Sequence, residues 1–215
     1  MDLDILSKYS AVLVKWYNEA MVRLNHKFDS YRRHHLFFRK EVTKFDILEE
    51  LRLKTIKLAL LQYKKEYVWG TNGPNTFDCA GLSWYVYQQL LAININENGI
   101  GKSTTTQQMT SNWGILNPIL EEDPQKQLKI KEIMVGDLVF FHRQSLKANQ
   151  PTAENYYPGH CGIYLGEAKF VHASRTIGRV VVNELNETYW LDMLVGSKDI
   201  ISDYHNKLLL NPKSK

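Results

Sequence analysis

Three side chains in this sequence could do acyl-transfer chemistry together. Cys79 lies in NTFDCAGLSWYVYQQL (Asn75 to Leu90), between an aspartate and the first turn of an apparent helix. Amides at a helix N-terminus carry a partial positive charge of about half an elementary unit. Cysteines so placed can ionise with pKa values of roughly 3.5–7.5, and the same amides can hold an oxyanion formed at a carbonyl under attack. Such a thiolate also needs a base and a group that orients the base. His160 opens the segment HCGIYLG and His172 lies in AKFVHAS. In a hairpin turning near Gly166 to Ala168 the two histidines are neighbours across the strand pair, on one face in the simple register. His160 is then the base, and His172 holds its second ring nitrogen. Taken singly, Cys79 reads as a buried structural cysteine and each histidine as an ordinary satisfied residue; the combination favours chemistry. Asp78 reads as the helix N-cap. Alternation turns Cys161 away from His160, which makes it a small core residue and disfavours a Cys79–Cys161 disulfide.

The elements that must position these groups follow from periodicity. Residues 3 to 24 place Leu3, Leu6, Tyr9, Leu13, Trp16, Ala20 and Leu24 at helical steps. A second helix is expected from Asp46, which forms a D-x-x-E capping box with Glu49, to about Tyr63. WGTNGPN (Trp69 to Asn75) is a loop that delivers the chain into the Cys79 helix. Residues 97 to 134 read as mostly irregular, with a loop and short helix in GKSTTTQQM. The period then changes to two: GDLVFFH, HCGIYLG, AKFVHAS and GRVVVNEL read as successive strands joined by glycine-containing turns. Helices first and antiparallel strands afterwards predict an α+β domain.

Composition narrows the classes. With 215 residues, 44% hydrophobic and 23% charged, the chain can bury a real core. No apolar run reaches about 18 residues, so no membrane span is expected. Two cysteines outside any CxxC exclude a disulfide framework, and the histidines show no zinc-ligand spacing. The net charge of +4 is compatible with anionic wall polymers or nucleic acid without requiring either, and no nucleic-acid motif is present. The first twenty residues lack a basic n-region, an apolar h-region and a cleavage site, so no signal peptide is recognised.

The segments YVWGTNGPNTFDCAGLSWYVY, GDLVFF, GHCGIYLG and FVHA, in that order and spacing, resemble the NlpC/P60 peptidases over roughly Ile56 to Val182. These are papain-like cysteine hydrolases that cut the stem peptides of bacterial peptidoglycan, commonly between D-γ-glutamate and the following diamino acid. The resemblance implies a papain-like α+β fold, with the nucleophile at a helix N-terminus packed on an antiparallel sheet that carries both histidines. By the same resemblance Cys79 is the nucleophile, His160 the general base and His172 the third polar residue. Tyr67 matches a tyrosine whose hydroxyl assists the oxyanion or substrate, and Asp78 a residue that grips the peptide on the acyl side. No metal or organic cofactor is implied.

The departures are specific. Ala80 stands where the family often has serine, Thr71 where a second glycine is usual, and Lys102 or Ser103 where arginine is common. The long segment Arg143 to Pro158 is either a lid bordering the cleft or a tolerated surface insertion. The expected organisation is a helical N-terminal extension over 1–50, a catalytic domain over 51–202 and a polar C-terminal tail over 203–215. The extension either packs on the domain or docks to a larger assembly. Action at the cell wall is expected, as a mature fragment or as a phage-borne or otherwise delivered enzyme. Two further readings fit the same layout: an acyltransferase or amidase acting on lipid or protein, and a phage tail component with lytic activity.

Overall fold

The computed structural model describes residues 39–95, 105–119, 124–142 and 158–210. The chain divides into two compact units, Met1–Glu50 and Leu51–Lys215. Of the first unit only 39–50 are described, and they are helical. The helix expected over 3–24 and the assembly role given to the extension therefore fall outside the described residues, as do positions 143–157 of the long segment.

Helix α1 spans Arg39–Leu60, so Asp46 lies inside it and is not its N-cap as expected. Arg, Lys and Glu at 39–41 are good helix formers and extend the helix upstream of the capping box. Two short strands follow, β1 (Glu66–Tyr67) and β2 (Thr76–Phe77), then α2 (Cys79–Leu91), α3 (Thr105–Thr110) and β3 (Ile115–Pro118). Next come α4 (Lys126–Lys131), β4 (Leu138–His142), β5 (Pro158–Gly166), β6 (Lys169–Ser174) and β7 (Arg179–Glu184). The described chain closes with α5 (Thr188–Met193), β8 (Leu194–Asp199) and α6 (Ile200–Leu210). The four strands expected from alternation are β4 to β7. Of the segment expected as a polar C-terminal tail over 203–215, the part to Leu210 belongs to helix α6, in which Ile200, Ile201 and His205 are buried. The two isoleucines of its first turn and His205 one turn on anchor it, while Leu208 and Leu209 stay exposed.

The eight strands form one sheet in the order β2-β1-β7-β6-β5-β4-β8-β3. Its pairings are antiparallel except for the short β1–β2 pair. One face of the sheet carries Val139, Phe141 and Phe170, which pack with Ile119, Ile133, Leu185, Met193 and Leu194. The other presents Phe140 and Cys161, a cross-strand pair, and there α2 and α3 pack against β5. Helix α2 contains no charged residue, and Leu82, Val86, Tyr87 and Leu91 are buried. Burial of such side chains contributes roughly 1.5–3 kcal/mol each.

Two buried cations tie the helices to the sheet. Arg52 of α1 donates to Asp137 Oδ1 at 3.0 Å, Asp199 Oδ2 at 2.8 Å, the Val135 carbonyl at 2.8 Å and Ser202 Oγ at 3.0 Å. Lys198 of β8 is 2% exposed. Its ammonium donates to the carbonyls of Gln108 (3.1 Å), Met109 (3.0 Å) and Ser111 (2.6 Å). Those carbonyls lie at the C-terminal end of α3, where helix geometry leaves acceptors without intrahelical donors. The ammonium supplies both the donors and a favourable charge at the negative end of the helix.

Candidate active site

Cys79 is the first residue of α2 and 7% exposed. Asp78 precedes it in an extended conformation and caps the helix, accepting from the Gly81 amide at 2.6 Å. Its other carboxylate oxygen accepts from the Gly70 amide at 2.9 Å, and its own amide donates to the Thr71 carbonyl at 2.9 Å. One buried carboxylate thus joins the first turn of α2 to the loop in front of it. Gly81 is required by this closure: a Cβ there would lie 2.0 Å from the Thr71 carbonyl oxygen. Tyr67 sits in β1, half-buried, its amide bonded to the Gly178 carbonyl at 2.9 Å.

The two histidines lie on one face of the sheet, as alternation requires. His160 Nε2 and His172 Nδ1 are 2.7 Å apart, and the rings meet edge to face. The register Ile163↔Val171 makes the pair diagonal rather than directly opposite. Gly162 fills the place beside His172, where a Cβ would approach His172 Cβ to 3.2 Å and both Phe170 Cδ2 and the Val171 carbonyl oxygen to 2.8 Å. His172 Nε2 lies 2.9 Å from Asn183 Oδ1 on β7. Trp190 of α5 contacts both imidazoles, with ring centroids 5.8 Å from His160 and 5.0 Å from His172, and Phe141 lies 6.0 Å from His160. Burial, reinforced by the His160 charge and only partly opposed by Asn183, lowers the His172 pKa to about 3. His172 is therefore a neutral hydrogen-bond partner at any pH near neutrality.

The thiol itself is held well below the usual thiol range. A hydrogen bond from Cys161 contributes most to this, followed by the hydrogen bond and charge of His160 and by the Thr105 hydroxyl 3.8 Å away; burial opposes them. Cys161 is the buried core residue that alternation led us to expect, and its neighbours add a contact with the nucleophile. It is fully buried and faces away from His160 as expected, but that direction is toward α2, so its Sγ lies 3.4 Å from the Cys79 carbonyl oxygen. Burial and the neighbouring Cys79 push the Cys161 thiol up, so it remains a donor. Both cysteines are free thiols. Behind them Gln108 of α3 is buried, donating Nε2 to the Ala80 carbonyl at 2.6 Å and accepting from Ser83 Oγ at 2.9 Å. Cys161 Sγ lies 3.4 Å from Gln108 Oε1. Thr105, Gln108, Asn183 and Trp190 were not singled out from the sequence. Of these, Asn183 alone had a usable signal, a polar residue on the alternation face shared with His172 across β6–β7.

These side chains make a thiol of lowered pKa at a helix N-terminus, hydrogen-bonded to an imidazole whose far nitrogen is held by a second imidazole. Such an arrangement can form a thiolate–imidazolium pair and deliver a proton to a leaving group. Among the described residues no cluster of His, Cys, Asp or Glu could hold a metal ion, and no helix is long and apolar enough to cross a membrane.

Residues 64–199 match the model of the NlpC/P60 family. The chain is 30% identical over 142 residues to murein DD-endopeptidase MepH of Escherichia coli (strain K12), covering 66% of this chain and 43% of that protein. It is 29% identical over 133 residues to gamma-DL-glutamyl hydrolase of Bacillus subtilis (strain 168), covering 60% and 25%. It thus spans less than half the length of these relatives. Among solved structures, NlpC2 from Trichomonas vaginalis aligns with a TM-score of 0.51 at 28% identity, covering 70% of this chain and 47% of that one. The match spans the loop before Cys79, the strands bearing both histidines and strand β8, and by it this chain belongs to the NlpC/P60 family.

Proposed function

We propose that residues 51–202 form a cysteine endopeptidase that cleaves the stem peptides of bacterial peptidoglycan. The observation that carries this reading is His160 held at 2.7 Å by His172 through one ring nitrogen, beside a Cys79 thiol whose pKa it helps to lower. Cys79 thiolate adds to the scissile carbonyl, and amides at the α2 N-terminus stabilise the oxyanion. His160 as imidazolium gives its proton to the departing amine, leaving a thioester on Cys79. Water, deprotonated by His160, adds to the thioester; collapse releases the acid and returns the thiol. His172 orients His160. Asp78 shapes the acyl-side wall through the Gly70 loop, and Tyr67 lends its hydroxyl to oxyanion or substrate.

The name of the murein endopeptidase supports wall peptides as the substrate and the cell wall as the place of action, and the two relatives differ on the bond, one naming a DD and the other a γ-glutamyl linkage. The D-γ-glutamyl–diamino acid bond is our choice. The test is digestion of purified peptidoglycan by the wild type and by Cys79→Ala, with products resolved by mass spectrometry. Wild-type-only products ending in D-glutamate support the reading. Absence of products from walls of several cross-link chemistries rejects the substrate class, and products from Cys79→Ala reject the nucleophile.

A further inference from the structure

We infer that Asn183 is a positioning residue that fixes the tautomer of His172, and through it the tautomer of the base His160. The inference rests on the proposed roles of Cys79 and His160. Asn183 Oδ1 is an acceptor with no proton to give, so the 2.9 Å contact requires the proton of neutral His172 to sit on Nε2. His172 Nδ1 is then a lone pair, and the 2.7 Å contact to His160 requires a proton on His160 Nε2. That leaves His160 Nδ1 as a bare nitrogen for the Cys79 thiol. The order of donors and acceptors is thus set from the far end, on β7.

The reverse order is equally well hydrogen-bonded. With the amide of Asn183 turned over, its Nδ2 would donate to His172 Nε2, and the His172 proton would move to Nδ1. His172 Nδ1–H would then donate to the lone pair of His160 Nε2, and neutral His160 would carry its proton on Nδ1, pointing it at the thiol. In that state His160 cannot accept a proton from Cys79. One side-chain amide therefore selects between a competent base and an incompetent one.

The surroundings leave this selection to Asn183. From β7 the residue opposite His172 is Val181; α5 presents Trp190, β4 presents Phe141, and Phe170 of β6 stacks on His172. Among the described residues, the charge that acts on His172 is that of His160, which also acts on the Cys79 thiol from α2. The lowered pKa of His172 agrees with its being a neutral relay that never needs a second proton.

The test uses two readouts that need no wall substrate. In the wild type, ¹⁵N chemical shifts of the imidazoles should show the His172 proton on Nε2 at neutral pH. The second readout is the rate at which iodoacetamide alkylates Cys79, identified by peptide mass, as a function of pH. Asn183→Leu removes the acceptor, and the mixture of tautomers should slow alkylation across the neutral range by about tenfold, the scale of one buried hydrogen bond. Asn183→Asp keeps an acceptor but adds a charge that favours a doubly protonated His172. Its Nδ1 proton would then point at His160, so alkylation should fall on the acid side and recover toward wild-type rates as the pH rises. A structural role alone would slow both variants without moving the profile.

A His172 proton on Nδ1 in the wild type overturns the inference, and so does an Asn183→Asp profile that superimposes on the wild type. If Asn183→Leu does not fold, the wild-type shifts and the Asp variant still decide. Failure of the digestion experiment with these outcomes intact would reject the substrate and leave the relay standing.

Discussion

Gly81→Ala is the sharpest test of how the nucleophile is held. In an ordinary helix this change is favourable by about 1 kcal/mol, because alanine is the better helix former. Here the added methyl would sit 2.0 Å from the Thr71 carbonyl oxygen and 2.8 Å from Asn72 Cα, whereas ordinary contacts begin at 3.4 Å. Both obstacles are backbone, so no rotamer change relieves them. The first turn of α2 and the Gly70–Asn72 loop must part by more than an ångström. Overpacking of this kind costs roughly 1–3 kcal/mol. The separation also stretches the 2.9 Å bond from the Asp78 amide to the Thr71 carbonyl, worth about 1 kcal/mol. Against the propensity gain, the net expectation is a loss of about 2 kcal/mol. With a urea dependence of about 2 kcal/mol per molar, the midpoint should fall by about 1 M with an unchanged slope. The alkylation rate of Cys79 should fall with it, since the cap that aligns the helix is the part displaced. Gly178→Ala is the control: it has a positive φ of 77° but open space around the site, so it reads backbone strain alone. A Gly81→Ala protein as stable as the wild type would refute the close approach and the account of the loop built on it.

Three more outcomes follow from buried polar groups. Lys198→Met should cost about 2–4 kcal/mol in urea denaturation, because the carbonyls at the end of α3 lose their donor in a buried setting; faster amide exchange in α3 would accompany it. Cys161→Val should raise the Cys79 pKa by deleting its largest stabilising hydrogen bond, slowing alkylation several-fold at pH 6 with recovery at higher pH. Asp137, 3.0 Å from Arg52, has its pKa raised from 3.8 to about 7, because burial and then the charge of Asp199 outweigh the guanidinium. An acid with a raised folded-state pKa stabilises the fold most at acid pH, and that contribution is lost as pH rises through the interval from about 4 to 7. The stability gap between the wild type and Asp137→Asn should therefore shrink by about 2 kcal/mol between pH 5 and 7.5, followed by urea midpoints at each pH.

What could be read from the sequence was what repeats with a period or sits at a helix boundary. The strands β4 to β7 alternate, and the Cys79 helix announces itself by its aspartate cap, so both histidines and the thiol were located by residue number. Strand β8 was missed because LVGSKD is buried along nearly its whole length, including Lys198, and has no polar face to alternate with. The short helix expected in GKSTTTQQM is α3, but it is too short to show a period, so the sequence could not tell that it brings Thr105 and Gln108 up behind Cys79. Asp137 and Asp199 are far from Arg52 in sequence, so their ion pairs appear only once the chain is folded. Cys161 shows the limit of alternation: the pattern gave its direction correctly and could not tell what lay there.

The order of the strands bears on when the chain becomes reactive. β8 comes after every other strand in sequence but lies inside the sheet, between β4 and β3, and Lys198 on it braces the helix that supports the thiol. A ribosome that has released Cys79 and both histidines has still not made the strand that joins β3 to β4. During synthesis the sheet stays open, and the segments that would make a cutting enzyme remain unassembled. Under the proposed hydrolase activity, a nascent chain that has not yet reached β8 has no closed sheet to hold its thiol and its histidines together.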